Sequence, residues 1–151
     1  MNEVEIFNHL FEIAKKSHDP RGVVSACLIN GDEIITSSAS ADDGKLHAEE
    51  IVIEKGKEDI TNSTVLYSTL EPCSQRKNKE IIDCTTVIIN SGIKNVIFGA
   101  KDPEHSSKTH KRLGEKGISI RQTTNPDIIK KCAQIFNGTV LEKDVKLKPE
   151  D

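Results

Sequence analysis

The chain has 151 residues, of which 35% are hydrophobic and 3% aromatic, and its formal net charge at pH 7 is -3. This length fits one domain with a real core, and the negative balance provides no basic field for nucleic acid or an anionic membrane. No apolar run approaches a membrane span, and the acidic, polar start does not resemble a secretion signal. Four cysteines without such a signal favour a soluble, cytoplasmic protein whose clustered Cys and His bind metal.

The first half of the chain predicts a helix, a β-hairpin and a second helix. Apolar residues recur at helical spacing from Val4 onward, residues 19–22 form a turn signal, and Asn30-Gly31 between two apolar runs favours a hairpin turn. The predicted elements are a helix over residues 4–16, strands over 23–29 and 33–36, and a helix that begins near residue 47. Cys27 lies inside the first strand, where a buried structural thiol is expected rather than a metal ligand.

The second half alternates strands and helices. We predict strands over residues 64–70, 96–99 and 118–120, and helices over 81–90, 108–116 and 126–135. This alternation argues for an α/β fold with a mostly parallel sheet and helices on both faces, while the opening hairpin supplies two antiparallel strands at one side. The assigned domain covers residues 1–142, and the charged residues 143–151 form a tail that is expected to fray.

The stretch from His47 to Cys84 carries the predicted chemistry. It contains His47-Ala48-Glu49, then Pro72-Cys73 at the end of a predicted strand, then Cys84. One imidazole and two thiolates suit zinc and leave a fourth position for water. An isolated His-x-Glu means little, so its weight comes from the cysteines that follow. The set matches the signature of zinc deaminases of nucleobases, in which the glutamate is not a ligand, although here ten residues separate the two cysteines instead of two.

The chain resembles the cytidine deaminase-like superfamily over nearly its whole length. The segment from Ser68 to Ser74 is similar to the Thr-Leu-Glu-Pro-Cys-Ser segment of the riboflavin-pathway pyrimidine deaminases, and Cys73-Ser74-Gln75-Arg76 resembles the loop of their fungal members. The resemblance implies a cytidine deaminase-like three-layer α-β-α sandwich with a five-stranded mixed sheet. The bacterial Gly-Arg-Thr-Pro-Pro segment, an asparagine near Pro20 and the reductase domain are all missing from this sequence, which leaves the exact substrate open.

The resemblance also implies an activity, namely zinc-dependent hydrolytic deamination. His47, Cys73 and Cys84 would hold Zn²⁺, which activates a water molecule, and Glu49 would move the protons as general acid and base. The implied substrate is the phosphorylated aminopyrimidine, with a ribosyl or ribityl phosphate, of riboflavin biosynthesis, with release of ammonia. Partners implied by the family are further copies of the chain, as a homodimer or homotetramer, and a separate reductase of the same pathway.

Two alternatives stay open from the sequence. One is a deaminase of cytosine-type or adenine-type nucleobases, nucleosides or nucleotides, including those in tRNA, although the acidic balance argues against a nucleic acid partner. The other is an inactive partner subunit that binds zinc for structure. Retention of Glu49 argues against that reading, because a structural zinc site has no need of the carboxylate.

Substrate contacts are predicted around the ligands and in two basic loops. By analogy with the family, backbone groups at Ala48 are expected to contact the substrate. The lysines and the arginine of the loops would hold a phosphate. For these basic residues, the commoner alternative is a solvated face. The candidate substrate-binding residues are Ala48, Ser74, Arg76, Lys77, Lys79, Asp102 and Lys108.

Overall fold

The computed structural model of the chain describes residues 1–76, 78–103 and 106–138. The elements are helix α1 (Glu3–Ala14), strands β1 (Ser25–Asn30) and β2 (Glu33–Ala39), helix α2 (Ala48–Gly56), a short 3₁₀ helix (Lys57–Asp59), strand β3 (Val65–Leu70), helix α3 (Cys84–Ser91), strand β4 (Asn95–Ala100), helix α4 (Ser106–Glu115), strand β5 (Ser119–Gln122) and helix α5 (Pro126–Phe136). The predicted domain end at residue 142 and the tail over 143–151 lie outside the described residues.

The five strands form one mixed sheet in the order β2-β1-β3-β4-β5. Strand β1 pairs antiparallel with both β2 and β3, whereas β3, β4 and β5 run parallel to one another. The hairpin at one side and the parallel strands at the other confirm the predicted sheet. Because β3 and β4 are parallel, with Leu70 opposite Ala100, the chain leaves both strands at the same edge, which is where open α/β sheets place their ligands.

Helices cover both faces of the sheet, and each face has its own hydrophobic core. Alternate residues of β1 face opposite sides, so that Leu28 packs with α2, α3 and α4, whereas Cys27 packs with α1 and α5. On the α1/α5 side the largest buried groups include Phe7, Leu10 and Ile128. This arrangement confirms the predicted three-layer sandwich.

Local signals explain where α3 begins and ends, and they correct one predicted boundary. The helix was expected from Ile81, because an apolar pair stands there, but it begins at Cys84. The Asp83 side chain caps it by accepting a hydrogen bond from the Thr86 N–H at 2.8 Å, so the residues before Asp83 lie outside the helix. Ile81 and Ile82 are accordingly 43% and 57% exposed. Gly92 ends the helix at a φ of 90°, which glycine adopts without strain.

The remaining observations concern the end of β2, burial on α2 and the length of the helices. Strand β2 extends to Ala39 rather than ending at Thr36. On α2, Ala48 and Val52 are buried, whereas Ile51 is half-buried. Among the helices in the described part of the chain, none combines the length and the apolar character that crossing a bilayer requires.

Candidate metal centre and active site

Three side chains from three separate segments meet at the edge of the sheet where β3 ends. His47 stands directly before α2, Cys73 follows β3, and Cys84 is the first residue of α3. His47 Nδ1 lies 3.2 Å from Cys84 Sγ and 3.6 Å from Cys73 Sγ, and the candidate ligand atoms all lie within 4.8 Å of one another. Within the described ranges, no other group of three such side chains converges in this way.

These distances fit a tetrahedral metal. With zinc–nitrogen and zinc–sulfur bonds of roughly 2.0 and 2.3 Å, ligand atoms around zinc lie about 3.5 Å apart. The nitrogen–sulfur distances in the cluster fall on either side of that value, and a nitrogen–sulfur–sulfur donor set is one that zinc prefers. The three side chains therefore fit zinc and leave a fourth coordination position open.

The electrostatics of the cluster favour a cation. A hydrogen bond from the Cys84 thiol, with help from His47, lowers the pKa of Cys73 to about 5. The same contact with Cys73, together with burial, raises the pKa of Cys84 well above its ordinary value. The Cys84 backbone N–H also donates to Cys73 Sγ at 3.3 Å, at a helix N-terminus where negative charge is favoured. A metal that binds both sulfur atoms would favour loss of the remaining proton.

Glu49 lies beside this cluster in the first turn of α2. Its side chain is only 3% exposed, and its carboxyl group interacts with His47 and Cys84. Burial raises the pKa of Glu49 to about 7, and its Oε1 atom has no hydrogen-bond partner among the described residues. A buried carboxylate oxygen without a partner is unusual in a folded protein, and next to a ligand cluster it is typical of a catalytic group.

The ends of the segment between the two cysteines are tied to the helix that follows His47. Arg76 donates to Glu50 Oε1 at 3.0 Å and to the carbonyl oxygen atoms of Lys45 and Ile82 at 2.7 and 3.3 Å. Glu50 Oε1 also accepts the backbone N–H of His47 at 2.6 Å. Arg76 is thus engaged with the protein itself, an arrangement that sequence reasoning missed because Lys45 and Glu50 are distant from it in the chain.

The other predicted substrate contacts differ in their surroundings. Ala48 is fully buried beside the cluster, and Ser74 is 7% exposed with an Oγ atom that lacks a partner among the described residues. Asp102 is half-buried, and its N–H donates to Glu71 Oε1 at 3.1 Å. Lys79 and Lys108 lie exposed on the surface. Lys77 falls outside the described residues.

Sequence reasoning also missed the role of Glu71. Its side chain is buried, Oε2 lies 2.7 Å from His110 Nε2 of α4, and its backbone N–H donates to the Ala100 carbonyl oxygen at 2.9 Å. Thr109 of the same helix donates to the Pro72 carbonyl oxygen at 2.8 Å. Helix α4 therefore holds the segment that leads from β3 into Cys73. The sequence signal that could have indicated this role is the position of Glu71, a charged residue directly after an apolar strand.

Comparison with protein families agrees with this geometry. The family model described as the cytidine and deoxycytidylate deaminase zinc-binding region matches residues 2–100, which include the three candidate ligands and Glu49. A diaminohydroxyphosphoribosylamino-pyrimidine deaminase from Buchnera aphidicola is 32% identical over 114 residues, covering 74% of this chain and 76% of that protein. A Schizosaccharomyces pombe protein of the same name is 33% identical over 86 residues, or 54% of this chain.

A solved structure shares the fold. The Aspergillus oryzae Rib2 deaminase, crystallised in complex with DARIPP, superposes with a TM-score of 0.73 at 21% identity, covering 89% of this chain and 90% of that one. At this identity the likeness concerns the fold. Several curated relatives are much longer, and the chain spans between 21% and 35% of the length of five of them.

Proposed function

This chain belongs to the cytidine and deoxycytidylate deaminase family, and on that premise we propose that it is a zinc-dependent deaminase of riboflavin biosynthesis. Its substrate would be the aminopyrimidine ribosyl or ribityl phosphate. The observation that carries the proposal is the buried Oε1 atom of Glu49, which has no hydrogen-bond partner in the described part of the chain and lies beside the cluster of His47, Cys73 and Cys84. The names of the Buchnera and S. pombe relatives support the choice of substrate.

The residues of the cluster would hold Zn²⁺ through His47 Nδ1 and the sulfur atoms of Cys73 and Cys84. Zinc with three protein ligands supplies Lewis acidity that makes water a nucleophile near neutral pH. Glu49 is buried at this point, and the N-termini of α2 and α3, which meet here, favour negative charge. With zinc bound, the site would place the Glu49 carboxylate where it could exchange protons with an activated water molecule.

Glu49 would carry the protons of the reaction. Its Oε1 atom accepts a proton from the attacking water and delivers it to the neighbouring ring nitrogen of the pyrimidine. A carbon–oxygen bond forms at the carbon that bears the exocyclic amine. Glu49 then passes the remaining hydroxyl proton to that amine, the carbon–nitrogen bond breaks, and ammonia leaves while the ring gains a carbonyl group. Such proton transfers typically contribute about 10²- to 10⁴-fold to the rate.

The proposal includes the setting of the enzyme. We place the catalytic domain at residues 1–142, in the cytoplasm, as a homodimer or homotetramer that works with a separate reductase. Two exposed apolar side chains close to the candidate ligands in the chain, Leu46 and Ile82 at 53% and 57% exposure, support contact with another copy of the chain. Light scattering on the purified protein tests the oligomer, and a monomer at micromolar concentration would contradict it.

Ammonia release by the zinc-loaded protein tests the activity. The panel contains the diaminopyrimidine ribosyl and ribityl phosphates, cytosine, cytidine, dCMP, adenine and guanine. Turnover confined to the pyrimidine phosphates supports the proposal and identifies the preferred sugar. Turnover of a nucleobase, nucleoside or dCMP would overturn the substrate assignment, and silence on the whole panel with zinc bound would favour the inactive partner subunit.

A further inference from the structure

Arg112 of α4 bonds to one chain neighbour of each candidate cysteine ligand. Its Nη1 atom donates to the Ser74 carbonyl oxygen at 2.8 Å and to Asp83 Oδ1 at 3.0 Å. Ser74 directly follows Cys73, and Asp83 directly precedes Cys84. One guanidinium group therefore connects the residue that follows Cys73 to the residue that precedes Cys84.

A third contact extends this link into α3. Arg112 Nη2 donates to Thr86 Oγ1 at 2.6 Å, and Thr86 in turn donates its Oγ1 hydrogen to Asp83 Oδ2 at 3.2 Å and its backbone N–H to Asp83 Oδ1 at 2.8 Å. Asp83 is the residue that caps the helix. Arg112 thus bonds to both side chains that define the first turn of α3, in which Cys84 stands.

Fixing this geometry matters because the two cysteines are far apart in the chain. Ten residues separate them, so the local backbone does not set the distance between their sulfur atoms. Hydrogen bonds from Thr85 to the Cys73 carbonyl oxygen, at 2.8 and 3.0 Å, dock the two segments together. Arg112 adds the charged, planar group that anchors both segments to α4 through bonds of fixed direction.

We propose that Arg112 is a positioning residue that sets the spacing of Cys73 and Cys84 and thereby the affinity of the site for zinc. The inference rests on zinc binding at this cluster. Outer groups that orient metal ligands typically account for 10- to 100-fold in metal affinity. The same contacts explain why a basic residue stands on α4 at this position without assigning it to a substrate phosphate.

The test compares Arg112→Gln and Arg112→Lys with Arg121→Gln. Arg121 is a matched control on β5, where it pairs with Glu3 at 3.0 Å. Zinc affinity is measured by competition with a chromogenic chelator, and Co²⁺ absorption reports the thiolate ligands. We expect about a 10- to 100-fold loss of zinc affinity for Arg112→Gln, a smaller loss for Arg112→Lys, an altered Co²⁺ spectrum, and parental values for Arg121→Gln.

A purely structural role gives a different result. It would lower the melting temperature of the metal-free protein while zinc affinity stayed within about threefold of the parent and the Co²⁺ spectrum stayed unchanged, and this outcome would overturn the proposal. Asp83→Asn provides a second route if Arg112→Gln does not fold, because asparagine still caps a helix but loses the charged bond. Its affinity should fall in the same direction.

The double variant Asp83→Asn/Arg112→Gln separates coupled from independent effects. Because the two side chains act through one contact, the combined loss of zinc affinity should be smaller than the product of the two single losses. A loss of zinc affinity in the double variant equal to the product of the two single losses would contradict the proposal. Zinc affinity is measured without substrate, so an inactive protein that shows these affinities would overturn the proposed function and leave the role of Arg112 supported.

Discussion

The two pairs of cysteines occupy contrasting environments in the same small fold. Cys27 and Cys132 belong to the apolar core under α1 and α5, and burial alone raises the pKa of Cys27 to about 12. Cys73 and Cys84 stand at the other region, where β3 ends and α3 begins, and there hydrogen bonds lower the pKa of Cys73 to about 5. A neighbouring hydrogen-bond donor, Cys84, thus lowers the pKa of the Cys73 thiol, and this contact rather than burial distinguishes the candidate metal ligands from the core pair.

Removing one thiol from each pair gives the largest expected difference. Cys84→Ala should reduce bound zinc and ammonia release to background and should lower the melting temperature, because metal binding contributes to the stability of the folded state. Zinc content by atomic emission and thermal unfolding are the measurements. Cys132→Ala is the matched control: it opens a cavity in the α1/α5 core but should retain one zinc per chain. Equal zinc contents in Cys84→Ala and Cys132→Ala would contradict the assignment of Cys84 as a metal ligand and Cys132 as a core residue.

Glu49→Gln separates the metal from the proton chemistry. The variant should bind zinc as the parent does, while kcat falls by about 10²- to 10⁴-fold, because the amide cannot accept a proton. Steady-state ammonia release and zinc content check this. Glu54→Gln serves as the control, since Glu54 is exposed on the same helix and pairs with Lys57. Retained activity in Glu49→Gln would remove Glu49 from the mechanism.

Thiol reactivity gives a direct comparison of the two pairs. In the zinc-loaded protein we expect no fast reaction with DTNB, whereas addition of a chelator should release one fast-reacting thiol, half-buried Cys73. Cys27 and Cys132 are at most 1% exposed and should react only on unfolding. The fast phase should disappear in Cys73→Ala. Rapid labelling of Cys27 or Cys132 in the native protein, located by mass spectrometry, would contradict the assignment.

Gly99→Ala tests the packing of the apolar region alone, with the smallest expected effect. A Cβ atom at this position in β4 would meet the Cys132 sulfur and would lie 2.9 Å from the Thr69 carbonyl oxygen. Overpacking of this kind costs about 1–3 kcal/mol in the free energy of unfolding. Denaturant unfolding measures it, and zinc affinity should not change. Gly114→Ala, where a Cβ meets nothing within 4 Å, should instead be neutral or stabilising.

The fold and the site differed in how far the sequence could predict them. The sheet followed from the alternation of strands and helices, and the three-layer sandwich from the family resemblance; the structure confirms both. The cluster of His47, Cys73 and Cys84 followed from residue types at recognisable spacing, and the structure brings these side chains together, while their roles and that of Glu49 stay predictions. Local patterns were sufficient here because each residue stands at the end of a regular element.

The contacts that support the ligands could not be predicted in the same way. Arg76 was interpreted as part of a basic loop that could hold a phosphate, and the bonds of Arg112 were not predicted, because the sequence does not show which groups a basic side chain contacts. Their carbonyl and carboxylate partners lie between 6 and 38 positions away in the chain. The start of α3 was also misplaced, because hydrophobicity at Ile81 outweighed the capping signal of Asp83. Long-range hydrogen bonds and caps, rather than the pattern of apolar residues, determine these features.

The anchored ends of the segment from Ser74 to Asp83 have a practical consequence for protein engineering. Arg76, Arg112 and the cap of α3 fix both ends, whereas residues 78–80 between them are exposed. The entropy cost of closing a loop rises slowly with its length, by only about 0.6 kcal/mol for each doubling. A peptide tag or a recognition loop inserted after Lys79 should therefore be tolerated, which makes this segment an attachment point close to the candidate metal centre.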